Sequence, residues 1–205
     1  MTRERPESDS AGKDPARRER RRREPRPPRP LTAERLQKAA LNHLARYACS
    51  AEQLRRVLQR RLARAEEAGV AEIGPREIER QIERCRGLGF LDDAAFARQK
   101  AESLGRQGRS RQAIGQKLKQ LGLAEAEIGE GLAAAGEAPA DELARAAAYA
   151  RRRRLGPFRP PAERAERFQR DLAALARQGF PYQLARRVLE AEDEAALERL
   201  LAEAA

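Results

Sequence analysis

The sequence predicts an all-α protein of three tandem three-helix repeats, forming an elongated, curved molecule. Three observations carry that prediction. Aromatic residues make up only 4% of the 205-residue chain and tryptophan is absent, so alanine and leucine supply most of the apolar content. Strands draw on β-branched and aromatic side chains, whereas Ala and Leu favour helices. From Leu31 onward apolar residues recur at three- and four-residue spacing, the period of a helix with one buried face. A glycine followed by an apolar residue then appears at three equivalent places: Gly89-Phe90, Gly122-Leu123 and Gly179-Phe180.

The first helix is expected from Leu36, Ala40, Leu44 and Tyr47. Ser50, with Gln53 three residues later, is a capping-box signature for a second helix that buries Leu54, Leu58 and Leu62. Gly69 and Gly74 bracket a loop, and Pro75 opens a third helix, where its missing N–H costs nothing. That helix carries Ile78, Ile82 and Cys85 inward and stops at Gly87 and Gly89. A fourth carries Phe96, Lys100 and Leu104 and is broken by Gly105 and Gly108. Ser110 caps a fifth with Ile114, Leu118 and Leu121 inward, and a short sixth carries Ile128 and Leu132. A seventh runs from about Glu142 to Arg154, an eighth carries Phe168, Leu172 and Leu175, and a ninth carries Leu184, Val188 and Leu189. Three helices of about 15 residues, each about 22 Å long, make one small packed unit. The units fall at residues 31–91, 92–136 and 137–191, with an arm at 1–30 before them and an acidic tail at 192–205 after them.

Asp92 and Asp93 are adjacent acids that follow a glycine stop at the start of a helix in the middle of the chain. Such a pair can hold a metal, act as acid and base, or start a helix. A catalytic or metal site needs converging partners, and the single histidine, His43, lies two helices away. Capping accounts for one aspartate and makes the other welcome in the first turn, near the positive end of the helix dipole.

Composition narrows the class further. No window approaches the roughly 18 apolar residues of a membrane span, and residues 1–30 lack the apolar core of a secretory signal. Cys49 and Cys85 have no metal-ligand spacing and fall in helical patterns, which fits reduced thiols in a cytoplasmic protein. No Gly-rich phosphate loop and no Cys/His set is present, and no histidine stands near Ser50 or Ser110 to activate either. The chain therefore reads as a non-enzyme with no cofactor and no metal. The tail from residue 190 either folds back onto basic surface or stays solvated.

The formal charge is +11, from 43 Lys+Arg against 32 Asp+Glu. Basic proteins attract phosphate backbones and acidic protein surfaces. Arginine heavily outnumbers lysine, and with abundant Ala and Gly this also matches a GC-rich coding bias. The arm RRERRRREPRPPRP is too polar to fold alone and is either a nucleic-acid-touching arm or a solvated extension. Within the repeats, basic residues cluster on the second helix (Arg55, Arg56, Arg60), the fifth (Arg109, Arg111, Lys117, Lys119), the end of the seventh (Arg151, Arg152, Arg153, Arg154, with Arg159 beyond) and the ninth (Arg186, Arg187). Each run alone is a solvated face; one in every repeat makes a basic track for a partner or DNA.

The stretches ALNHLARYACSAEQLRRVL (40–58), IERCRGLGFLDDAAFARQ (82–99), GRSRQAIGQKLKQLGL (108–123) and RQGFPYQLARRVL (177–189) resemble the regulatory protein RecX family. The resemblance spans roughly residues 33 to 191; the arm and the tail lie outside it. It implies three tandem three-helix repeats and binding to RecA filaments on DNA, which the protein modulates, usually by inhibition. That places it in control of homologous recombination, DNA repair and the SOS response. It implies no catalysis and no metal. The basic track is further expected to contact single- or double-stranded DNA without sequence preference, and the chain to be a monomer with no membrane partner. Two rival readings are a helix-turn-helix DNA-binding regulator acting without RecA, which would leave sequence-selective footprints, and a purely structural adaptor.

Overall fold

Several helix starts in this chain are set by short side chains that reach back to the backbone. The computed structural model describes residues 29–136 and 138–204, so the arm read at residues 1–30 lies outside it apart from Arg29 and Pro30. The described residues form α1 (Ala33–Leu44), α2 (Ala51–Glu67), α3 (Pro75–Gly87), α4 (Asp93–Arg106), α5 (Arg111–Gln120), α6 (Glu125–Ala134), α7 (Pro139–Arg153), α8 (Pro161–Arg177), α9 (Tyr182–Leu189) and α10 (Glu194–Ala204). One 3-10 turn (Gly156–Phe158) follows α7, and Leu31 and Ala71 form a single bridge; no strand occurs among the described residues. Thr32, Ser50, Asp92 and Ser110 each accept a hydrogen bond from the N–H three residues on, capping α1, α2, α4 and α5. At Ser50 the box closes in both directions, with Gln53 N–H to Ser50 Oγ at 3.2 Å and Ser50 N–H to Gln53 Oε1 at 3.1 Å.

The helices bury their apolar faces in three separate clusters. Leu36, Leu54, Leu58, Ile78 and Ile82 anchor the first, between α1, α2 and α3. Ala97, Ala101, Ile114, Leu118 and Ile128 anchor the second, where α4 packs along α6 and both meet α5. Leu143, Tyr149, Leu175, Phe180 and Val188 anchor the third, between α7, α8 and α9. The middle cluster is the smallest, with Ala97, Ala101 and a handful of Leu and Ile side chains. Each buried Leu or Ile contributes about 1.5–3 kcal/mol, so the middle repeat relies most on its neighbours, as units of a linear array do.

Three local expectations are revised. Helix α1 stops at Leu44, because the N–H groups of Arg46 and Tyr47 both turn onto His43 C=O (3.1 and 3.0 Å) and tighten the last turn. Tyr47 therefore leaves the apolar stripe and stands 59% exposed. Gly105 lies inside α4, and the break comes at Gly108, which adopts φ +69°. Helix α7 begins at Pro139 rather than Glu142, with Asp141 accepting Ala138 N–H at 3.0 Å. The acidic C-terminal segment folds back as α10: Leu197 is buried in the third cluster, and Arg151 pairs with Glu198 at 3.2 Å and Glu194 at 3.9 Å.

The repeats are linked by one joint used twice. The buried Ser50 hydroxyl at the start of α2 donates to Leu121 C=O at the end of α5, at 2.5 Å. The buried Ser110 hydroxyl at the start of α5 donates to Gln178 C=O at the end of α8. Beside each serine, the first helical N–H is taken by a carboxylate from the next repeat's first helix: Ala51 N–H by Asp93 at 2.8 Å, and Arg111 N–H by Glu142 at 3.1 Å. Gly122 and Gly179 follow the two acceptor carbonyls with φ +80° and +83°. A Cβ at Gly122 would strike the Glu52 side chain, and one at Gly179 would lie 2.9 Å from Ser110 Oγ. The glycines thus supply both the left-handed turn and the space for close approach. The second helices α8, α5 and α2 consequently meet end to end, the negative C-terminus of one at the positive N-terminus of the next.

Both members of the aspartate pair are caps, of two different helices. Asp92 caps its own α4 through Ala95 N–H at 2.8 Å. Asp93 caps α2 across the joint and receives Arg86 Nη2 at 3.1 Å.

Candidate functional site

The basic residues read from the sequence divide into those held by the fold and those left open. Arg55 is held most firmly. Its guanidinium donates to both Glu79 oxygens at 2.8 and 2.9 Å and to Glu52 at 2.5 Å, tying α2 to α3. These bonds raise the Arg55 pKa above its ordinary value and hold Glu79 and Glu52 below theirs. Arg56 pairs with Glu52 at 2.9 Å. Arg159 makes a two-pronged bond to Asp171, 3.0 Å on each side, and Gly156 N–H adds a third at 3.1 Å. Asp171 is only 2% exposed, so this pair fastens the turn after α7 to α8. Arg186 pairs with Glu190 at 2.6 Å, and Lys119 lies 3.5 Å from Glu125. Arg111 is half-buried and donates to Leu132 C=O at 3.2 Å.

The four consecutive arginines at the end of α7 have different surroundings. Arg151 faces α10 and lies over the Phe158 ring at 5.3 Å, while Arg152 lies over Tyr149 at 5.8 Å. Arg153 lines a groove against α8. Arg154 ends the helix in the left-handed conformation, φ +54°. Arg60, Lys117 and Arg187 are exposed and have no ion pair among the described residues.

Two adjoining grooves gather some of the open cations. The first, of about 440 Å³, is lined by Arg153, Arg159, Arg167, Arg170 and Arg177, with Asp171 at its floor. The second, of about 300 Å³, lies where α8 meets α5 and is lined by Arg109, Lys117 and Arg177 with three glutamines. Arg177 belongs to both. Arg109 also donates to Gln178 Oε1 at 2.9 Å, across the same joint. The fold thus brings Arg109, Lys117, Arg153 and Arg159 toward one region, whereas Arg55, Arg56, Arg60, Arg186 and Arg187 line neither groove.

Arg167, Arg170 and Arg177 escaped the sequence reading because no two are adjacent. Their signal was spacing: offsets of three and seven along one helix keep them near one face. A third groove of about 470 Å³, lined by Arg29, Arg35, Lys38 and Arg61, draws on the end of the basic arm and on α1 as well as α2. It exists because Leu31 N–H bonds Val70 C=O at 2.8 Å and lays the entering chain beside α2.

No helix among the described residues is long and apolar enough to cross a membrane. Cys49 and Cys85 are unpaired and buried, and burial pushes both thiols up.

The middle repeat has a counterpart among known proteins. Residues 92–132, α4 to α6, match the family model of the RecX second three-helix domain. The chain is 40% identical over 166 residues to the regulatory protein RecX of Myxococcus xanthus, covering 80% of this chain and 88% of that protein. It is 29% identical over 166 residues to the regulatory protein RecX of Agrobacterium fabrum, covering 77% and 85%. It is 36% identical over 96 residues to that of Cronobacter sakazakii, covering 47% and 58%. No solved structure matches. With its repeat architecture, its middle domain and four fifths of its length in register with such a relative, this chain belongs to the RecX family of regulatory proteins.

Proposed function

We propose that this chain binds RecA nucleoprotein filaments and inhibits their recombinase and ATPase activity, acting without catalysis as a monomer in the cytoplasm. The observation that supports this most directly is the repeated joint. Because α8, α5 and α2 meet end to end through Ser110 and Ser50, cationic side chains recur along one continuous series of helices. A filament offers the same surface again and again, and a linear array of small units is suited to successive copies. Weak contacts at each unit then multiply through effective concentration.

The basic track read from the sequence supplies the contacts. Its open members, among them Arg60, Lys117, Arg153, Arg154 and Arg187, meet DNA phosphates or acidic filament residues without reading base sequence, so affinity falls with salt. Arginine suits either partner, since its planar fork matches carboxylate and phosphate. Inhibition follows when the chain binds the disassembling filament better than the growing one, because a ligand shifts an equilibrium only by its differential affinity.

The test is RecA-dependent ATP hydrolysis on single-stranded DNA, titrated with the full chain at two salt concentrations. Inhibition at or below one chain per RecA, weaker at high salt, is expected. No effect at equal stoichiometry rejects the proposal.

A further inference from the structure

We propose that the arginine groove between α7 and α8 binds the phosphate backbone of a nucleic-acid strand, and that the strand leaves it across the α8–α5 joint. This deepens the filament reading and rests on it for biological setting; the chemistry rests on this chain alone.

The groove holds more positive charge than the fold uses. Its one carboxylate, Asp171, is engaged on both oxygens by Arg159 and on one of them also by Gly156 N–H. Arg153, Arg167, Arg170 and Arg177 remain. The nearest acid to Arg167 is its sequence neighbour Glu166 at 3.8 Å. Arg153, Arg170 and Arg177 have no ion pair among the described residues, although the rest of the surface is laced with them. Like charges in one concavity repel, and low-dielectric walls focus their field on an incoming anion.

The arrangement is a row rather than a point. On α8, Arg167 and Arg177 are ten residues apart, about 15 Å along the axis. A single phosphate would need the forks to converge, whereas a row matches the repeated charges of a strand, roughly four nucleotides at ~3.4 Å each. Arg177 then hands the path to the second groove, where Arg109 and Lys117 continue the charge.

The lining favours nucleic acid over an acidic protein surface. Neither groove presents an aromatic or methionine side chain, the types that with arginine enrich protein interface cores. The exposed Tyr47 and Phe90 instead line a separate groove at the first joint. Polar, strongly cationic surfaces are characteristic of nucleic-acid contacts.

The experiment is fluorescence anisotropy of the full chain, without RecA, against a labelled single-stranded oligonucleotide and its duplex. R167E/R170E/R177E is compared with R76E/R80E/R84E, an equal charge change on exposed positions of α3 outside both grooves. The groove variant should lose at least tenfold in affinity, and its log–log salt slope should flatten by about 2 for a single strand. The α3 variant should lose less than about threefold. R167Q/R170Q/R177Q, checked by helical circular dichroism, repeats the test with milder changes. Binding to either form supports the site, and the tighter one identifies the ligand. Equal losses in the two charge-reversal variants, unchanged binding by the groove variants, or displacement of the oligonucleotide by polyglutamate at equal charge overturns the proposal. If wild-type chain binds through the groove yet leaves RecA hydrolysis untouched, the filament reading fails and the groove stands. If hydrolysis is inhibited and the groove variants bind as wild type, the groove fails and the filament reading stands.

Discussion

The second helices of the first and third repeats, α2 and α8, are both 17 residues long, and each is followed by a left-handed glycine, Gly69 and Gly179. Their arginines nonetheless have opposite fates. On α2, Arg55 and Arg56 are engaged by Glu52 and Glu79, so cations that look like surface act as struts between α2 and α3. On α8, Arg167, Arg170 and Arg177 face a groove whose only acid is already occupied. The difference comes from the neighbours. Helix α3 presents Glu79 to α2, whereas the elements around the α8 groove add further arginines. Arginine is as fit for a strut as for a ligand contact, and the carboxylates nearby decide which it becomes.

The starts of the two helices differ as well. Ser50 donates into the following repeat, while α8 starts at Pro160-Pro161, which have no hydroxyl and no N–H to offer. The end-to-end series of second helices therefore terminates at α8.

The sharpest way to break the α8 side is Asp171→Ala. It leaves Arg159 and Gly156 N–H without their acceptor and should cost about 3 kcal/mol, read as a lowered urea midpoint in helical circular dichroism. Next are the joints. Ser50→Ala and Ser110→Ala each remove a buried hydroxyl that both caps and bridges, for about 1–2 kcal/mol apiece. Lying at separate joints, the two should add in the double variant; strong non-additivity would show that the joints form one cooperative unit.

Smaller effects sharpen the contrast between struts and open cations. Arg55→Ala should lower stability by about 1 kcal/mol, since it removes a bonded network at a partly exposed site. Arg170→Ala should change stability by less than about 0.5 kcal/mol. Equal stability losses in these two variants would erase the distinction drawn between α2 and α8. The smallest effect is in pH dependence. Arg55 holds Glu52 and Glu79 below their ordinary 4.5 in the folded state. The stability they contribute is present above the unfolded value and is lost as pH falls through the folded one. Urea midpoints measured between neutral pH and acid should therefore fall less in Arg55→Ala than in wild type.

Much of the fold was legible because capping and periodicity are local. Ser50 with Gln53, Pro75, and Ser110 before Ile114 mark helix starts through bonds within four residues, and each helix begins where they place it. Tyr47 was misplaced because α1 has no glycine stop, and its last turn closes through backbone bonds alone. Of the basic positions, those at the end of α7 were legible as a run, yet only Arg153 of that run enters the groove. Arg167, Arg170 and Arg177 were scattered in the text of the chain and became neighbours only on the helix.

The sequence by itself determined most helix starts, the apolar stripe of each helix and the supply of positive charge, since each depends on residues within a turn or two. Only the tertiary structure decided that the capping serines bridge repeats, since their acceptors lie 71 and 68 positions away. It also decided which arginines stay open, because a guanidinium answers to whichever carboxylate packing brings within reach. Chain order does not record that distance.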